Sequence, residues 1–205
     1  MNLRRSRCMA TLTSLLSAAA LLGSASRAIA APEVVHLIDF SATPDGDFTS
    51  YTEQGATFFA TGGWLDSTGV GPTPNGTRGL YGHGSFGGGL AISALFNPPV
   101  KKVSVDLGDY NADADLMWLE AYDGGGALIV RQTHDFASDR IGMFTLTAEG
   151  LAIHKILFGS DGVYPNSVYS DNVQFVRVPE PAAASLLALA AAPWAVRRAR
   201  LRGGR

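Results

Sequence analysis

The sequence predicts an all-β fold, a two-sheet antiparallel β-sandwich of jelly-roll type. Between Glu33 and Val178 no apolar pattern of helical period persists, whereas short runs that alternate apolar and polar residues recur. Clusters of Gly, Asp, Asn and Pro, the residues that turn a chain, separate those runs. Roughly nine strands at such spacing fill the two sheets of a sandwich.

The elements follow in order. Arg4, Arg5 and Arg7 precede an apolar stretch from Met9 to Leu22, and Ala28-Ile29-Ala30 supplies a small-x-small cleavage pattern. That order is a secretory signal helix, residues 1–30, which engages the Sec translocon and signal peptidase and is cut near Ala28 and Ala30. Cys8 is the only cysteine, so removal of the leader leaves a chain without thiols or disulfides. Val34 to Phe40 reads as the first strand and Ala56 to Ala60 as the second. Leu90 to Phe96, Val100 to Leu107, Leu116 to Tyr122 and Ala127 to Thr133 follow. Asp123-Gly124-Gly125-Gly126 makes a hairpin turn between the last two. Met143 to Thr147, Ile153 to Phe158 and Tyr169 to Val176 complete the set. The expected core comprises Val35, Phe40, Phe58, Ile92, Val103, Val105, Leu119, Ala121, Ile129, Ile156, Phe158, Val173 and Phe175.

The chain then changes character. Pro179-Glu180-Pro181 breaks the last strand, Ala182 to Val196 forms a short apolar helix, and Arg197, Arg198, Arg200, Arg202 and Arg205 close the sequence. Fifteen residues make about 22 Å of helix, short of a ~30 Å hydrocarbon core, so the helix suits transient inner-membrane insertion better than permanent anchoring. The arginines hold it on the cytoplasmic side. These residues resemble the PEP-CTERM sorting signal of Gram-negative bacteria. The resemblance implies an exosortase as processing partner and delivery to the cell surface or extracellular matrix of an exopolysaccharide-producing host. The domain boundaries are therefore 1–30, 31–177 and 178–205.

Charge narrows the function of the middle domain. The leader holds four arginines, and the tail five arginines and one acid. What remains is 17 acidic residues against 7 basic ones, a net charge of −10 inside a chain of net charge −2. Binding to a phosphate backbone needs clustered Lys and Arg, so nucleic acid is excluded as a partner.

Several segments of the middle domain are similar to jelly-roll carbohydrate-binding modules. They are Ile38-Asp39-Phe40, the run from Tyr51 to Phe58, Phe96-Asn97-Pro98-Pro99-Val100 and Asp171-Asn172-Val173-Gln174-Phe175. The resemblance implies a structural calcium shared by an acid on the first strand and one opening the last, here Asp39 and Asp171. A second calcium candidate comes from the residues themselves. Asp109, Asn111, Asp113 and Asp115 place oxygens at every other position, but Ala114 stands where an EF-hand loop needs glycine, so only a looser loop site around Asp109 and Asp113 is expected.

Aromatic residues beside polar groups bind sugars by stacking on the C–H face of the ring. Trp64 and Tyr81 bracket a glycine-rich loop, and Trp118 and Tyr122 share one strand face, which makes these four the candidate ligand-binding residues. The histidines are scattered without zinc-enzyme spacing, and no Gly-x-Ser-x-Gly elbow is present. Glu120 and Asp106 are the acid pair that a sandwich could present on one face for glycoside cleavage. The sequence thus predicts an exported, non-enzymatic surface or matrix protein that binds exopolysaccharide with calcium support. A secreted polysaccharide-modifying enzyme and a structural matrix component without a specific ligand are the alternatives.

Overall fold

The computed structural model describes residues 33–67, 78–86, 88–109, 114–137 and 142–178. The signal helix with Ala28 and Ala30, the apolar tail helix with Pro179, Glu180, Pro181, Arg197 and Arg198, and Asp113 lie outside the described residues, as does the side chain of Asp109.

Ten strands and no helix make up the described residues: β1 (Val35–Ile38), β2 (Tyr51–Glu53), β3 (Ala56–Ala60), β4 (Trp64–Asp66), β5 (Tyr81–His83), β6 (Ile92–Asp109), β7 (Asp115–Tyr122), β8 (Leu128–Phe136), β9 (Gly142–Gly162) and β10 (Tyr169–Arg177). The two long strands, β6 and β9, pair antiparallel from Ile92↔Phe158 to Asp109↔Gly142. Midway the ladder slips: Leu95 pairs with Lys155, Val100 with Ile153 and Lys102 with Glu149. On one side of the slip, β3 adds to β6 and β7 adds to β9, with β2 and β8 outside them. On the other side, β10 adds to β6 and β1 adds to β10. The first and last strands are thus neighbours, as a jelly roll requires.

The slip folds this continuous ladder into two layers over one core. Ile92, Ala94 and Phe96 are buried before it, and Val103, Val105 and Leu107 after it. The inward position has moved from even to odd numbers, which keeps the apolar face of both halves on the interior. Pro98 and Pro99 lack the donor that a ladder needs, so the irregularity falls there. The Asn97–Pro98 peptide is cis. Asn97 N–H donates instead to Gly55 O at 2.9 Å, in the β2–β3 turn. That turn places Gln54 and Gly55 at φ 47° and 75°, the pattern of a two-residue hairpin turn with both central residues left-handed. A Cβ on Gly55 would sit 2.6 Å from Asn97 O, so glycine is required there for space as well as for φ. Across the layers, Phe40 meets Phe58 edge-on at 5.1 Å and Phe96 meets Phe175 at 5.3 Å.

The expected core is correct at eleven of its positions and wrong at two. Val35 is 60% exposed because β1 turns His36 and Ile38 inward; the His36 ring stacks on Phe175 at 4.9 Å. Ile129 is 38% exposed because it is the extra residue of a β-bulge: Ala121 faces Val130, and Tyr122 faces Leu128. The Asp123 turn forms as expected, its Oδ1 accepting from Gly125 N at 2.8 Å and Ala127 N at 2.9 Å. Four expected strands merge into two, because β6 continues through its prolines and β9 continues through Gly150.

Phe58 is fully buried at the contact between layers. Phe58→Ala is expected to lower unfolding free energy by about 3–5 kcal/mol, read as a shifted denaturant midpoint with unchanged slope.

Candidate functional site

One end of the sandwich, away from the slip, is closed by β4 and β5. Leu65 of β4 and Leu80, which precedes β5, are both fully buried and tie this small sheet to its surroundings. Leu65 exchanges backbone hydrogen bonds with Phe48 at 2.8 and 2.9 Å, and Leu80 exchanges them with Ser170 of β10 at 2.8 and 3.0 Å. Gly82 of β5 lies under the chain: a Cβ there would stand 2.5 Å from Leu90 O. Residues on either side of these inward positions must therefore point out. Register fixes which ones meet. Trp64 lies opposite His83, Asp66 opposite Tyr81, and Asp47, one residue before Phe48, lies beside Asp66.

The outward face carries a row of rings. Trp64 and His83 have centroids 6.1 Å apart, His83 and Tyr81 are parallel at 6.3 Å, and Tyr81 and Tyr169 of β10 are 5.5 Å apart. Trp64 is 37% exposed, while His83, Tyr81 and Asp66 are half-buried and Asp47 is exposed. His83 Nε2 is 3.0 Å from Asp47 Oδ1. Burial pushes the Tyr81 phenol above its usual pKa, so it stays protonated and can both donate and accept at neutral pH.

The segment bearing Asp47 is braced from below. Buried Thr43 donates its hydroxyl to Phe40 O at 2.7 Å, and the Ser67 hydroxyl oxygen lies 2.7 Å from the same Thr43 oxygen. Arg78 donates to Thr43 O at 2.9 Å and also pairs with Asp45. The site is thus held by backbone pairing and buried hydrogen bonds around its exposed rings.

The four aromatics expected to bind ligand divide into two pairs. Trp64 and Tyr81 stand on the facing strands β4 and β5. Trp118 and Tyr122 lie on the outer face of β7 under a charged network. Trp118 is 8% exposed, with the Arg131 guanidinium over its ring at 5.3 Å. Arg131 also pairs with Glu120 at 2.9 Å and Asp161 at 3.3 Å. Tyr122 donates to Glu120 and lies beneath the Lys155 ammonium at 4.3 Å. The hydrogen bond to Glu120, then burial, raises its pKa.

Among the acids, Asp39 is half-buried and accepts from Ser41 N at 3.1 Å. Asp171 is fully buried and accepts from Asn172 N at 2.7 Å, beside the register shift where Asn172 adopts φ 45°. Glu120 on β7 and Asp106 on β6 lie on opposite sides of the slip. The first is engaged by Arg131 and Tyr122, and the second by Asn172 at 3.0 Å and Thr145 at 2.5 Å. Asp47, His83 and Tyr169 were not among the expected site residues. They are 36 and 86 positions apart in sequence, so only strand pairing brings them together.

No known family matches the sequence, and no curated protein does. Solved structures give distant likenesses. The K2 cleaved adhesin domain of Lys-gingipain is 12% identical with a TM-score of 0.47, over 69% of this chain and 97% of that one. The family 11 carbohydrate-binding module from Clostridium thermocellum, solved with a β-1,3-1,4-mixed-linked tetrasaccharide, is 12% identical with a TM-score of 0.36, over 74% and 99%. The family 29 module CBM29_1 from Piromyces equi is 12% identical with a TM-score of 0.36, over 71% and 91%.

The burial of Trp118 separates packing from binding. Trp118→Ala is expected to lower stability by about 3–5 kcal/mol in denaturant unfolding, the cost of emptying an indole site. A change below about 1 kcal/mol would mean that the ring contributes little packing.

Proposed function

We propose that this chain is an exported, non-enzymatic protein of the cell surface or extracellular matrix that binds polysaccharide through the row Trp64–His83–Tyr81–Tyr169. The observation that carries this reading is the row itself. Four rings stand side by side on one outward face, with Asp47 and Asp66 at their edge. Sugar rings present apolar C–H faces and a rim of hydroxyls, and they are held by aromatic faces flanked by hydrogen-bonding groups. Trp64 and Tyr81 supply the faces; the carboxylates and the Tyr81 hydroxyl supply acceptors and a donor. The site is preorganised, because its strands are fixed by Leu65, Leu80 and Gly82 beneath it, so little ordering cost opposes binding.

The route to the surface belongs to the same proposal: Sec export, removal of residues 1–30, transient insertion of the apolar tail, and exosortase processing near Pro179-Glu180-Pro181. The sequence of both ends supports it. In a native host, intact mass of the surface-associated protein is expected to fit a chain starting at Ala31 and ending near residues 179–181. A full-length mass of residues 1–205 would overturn the processing route.

Affinity electrophoresis through gels containing the host's exopolysaccharide tests the binding. Trp64→Ala and Tyr81→Ala are each expected to weaken retardation about three- to tenfold, the scale of 0.5–1.5 kcal/mol for one ring stack. Retardation equal to that of the unsubstituted protein in both variants would remove the row from the site.

A further inference from the structure

We propose that Asp47, Asp66 and His83 form a binding site for a divalent metal ion of the zinc class. One ligand atom from each residue lies within 4.8 Å of the others, so a single ion can reach all three. First-row ions hold nitrogen and carboxylate oxygen at roughly 2.0–2.2 Å in tetrahedral geometry, so ligand atoms round one ion stand about 3.4 Å apart. His83 Nε2 and Asp47 Oδ1 are already 3.0 Å apart, and side-chain rotation of the two aspartates completes the set.

The donor set chooses the ion. Two carboxylates and one imidazole make a nitrogen–oxygen site that balances a 2+ charge, which favours zinc and its neighbours. Calcium takes oxygen donors throughout. The imidazole is also oriented for the task. Its Nδ1 is 3.4 Å from Gly84 O, so this nitrogen can carry the proton, leaving the Nε2 lone pair toward the carboxylates. Metal-binding histidines are commonly held by such a contact to a backbone carbonyl. Arg78 is engaged by Asp45 and Thr43 O. The three residues reach the ion from β4, β5 and the braced segment before Phe48, so binding ties that segment to the small sheet.

The site shares His83, Asp47 and Asp66 with the glycan reading, but its test contains no sugar, so failure of one reading is distinguishable from failure of the other. The full chain is titrated with zinc chloride and, separately, calcium chloride in a calorimeter at pH 7. The expected result is one zinc per chain, bound at least tenfold tighter than calcium, with a raised melting temperature. His83→Ala and the near-isosteric Asp47→Asn are each expected to weaken zinc binding tenfold or more, while His134→Ala leaves it unchanged. Absence of zinc binding, calcium bound more tightly than zinc, or equal zinc affinity in the His83 and Asp47 variants would overturn the site. Asp47 is exposed, so its variant answers even where His83→Ala perturbs folding.

Discussion

Everything in this domain hangs on the pairing of β6 with β9 across the slip at Leu95–Lys102. Each strand serves both layers, so the two layers share their central hydrogen-bonded ladder. Antiparallel pairing of 18- and 21-residue strands satisfies backbone polar groups along the middle of the sandwich. A flat ladder of that length would leave one face of Ile92, Ala94, Phe96, Val103, Val105 and Leu107 in water. Bending it at the proline pair, and shifting the inward position there, buries both halves against each other. The remaining strands extend one layer or the other, and β4 and β5 close the end that the bend leaves open.

Alternation made most of this legible in the sequence. Val103, Val105 and Leu107 announce a strand with one buried face, and the Asp123 turn announces a hairpin. What the sequence conceals is continuity. Prolines and glycines mark the ends of strands in most settings, and here they mark bends within β6 and β9. The two misplaced core residues have the same origin, since a bulge or an edge strand shifts the inward position by one and apolar character alone does not reveal it. β2, β4 and β5 have three residues each, too few for an alternation to register. The site was half legible for a related reason. Trp64 and Tyr81 stand out as aromatics beside a glycine-rich loop, whereas Asp47 and Tyr169 gain meaning only once Phe48 pairs with Leu65 and Leu80 with Ser170.

The acidity of the domain has a local expression. Seven basic residues cannot partner seventeen acids. On the sheet faces Arg131 pairs with Glu120 and Asp161, and Lys102 with Glu149. Lys102 holds the Glu149 carboxyl below its usual pKa. The contrast with the closed end is chemical. On β7 an arginine lies across Trp118 and hides it, while on β4 Trp64 stays exposed beside half-buried Tyr81 and His83 of β5.

The pinning of the last strand has a directional consequence. Val178 N–H donates to Pro99 O at 3.1 Å and Arg177 reaches Gln54 O, so the chain leaves the domain at the bend. β1 begins at the same end, with Val35 opposite Val176. Tyr169, at the other end of β10, lies eight residues away, roughly 26 Å along an extended strand. Both ends of the described domain therefore lie at the proline bend, and the row of rings lies at the far end of β10, a full strand length from either.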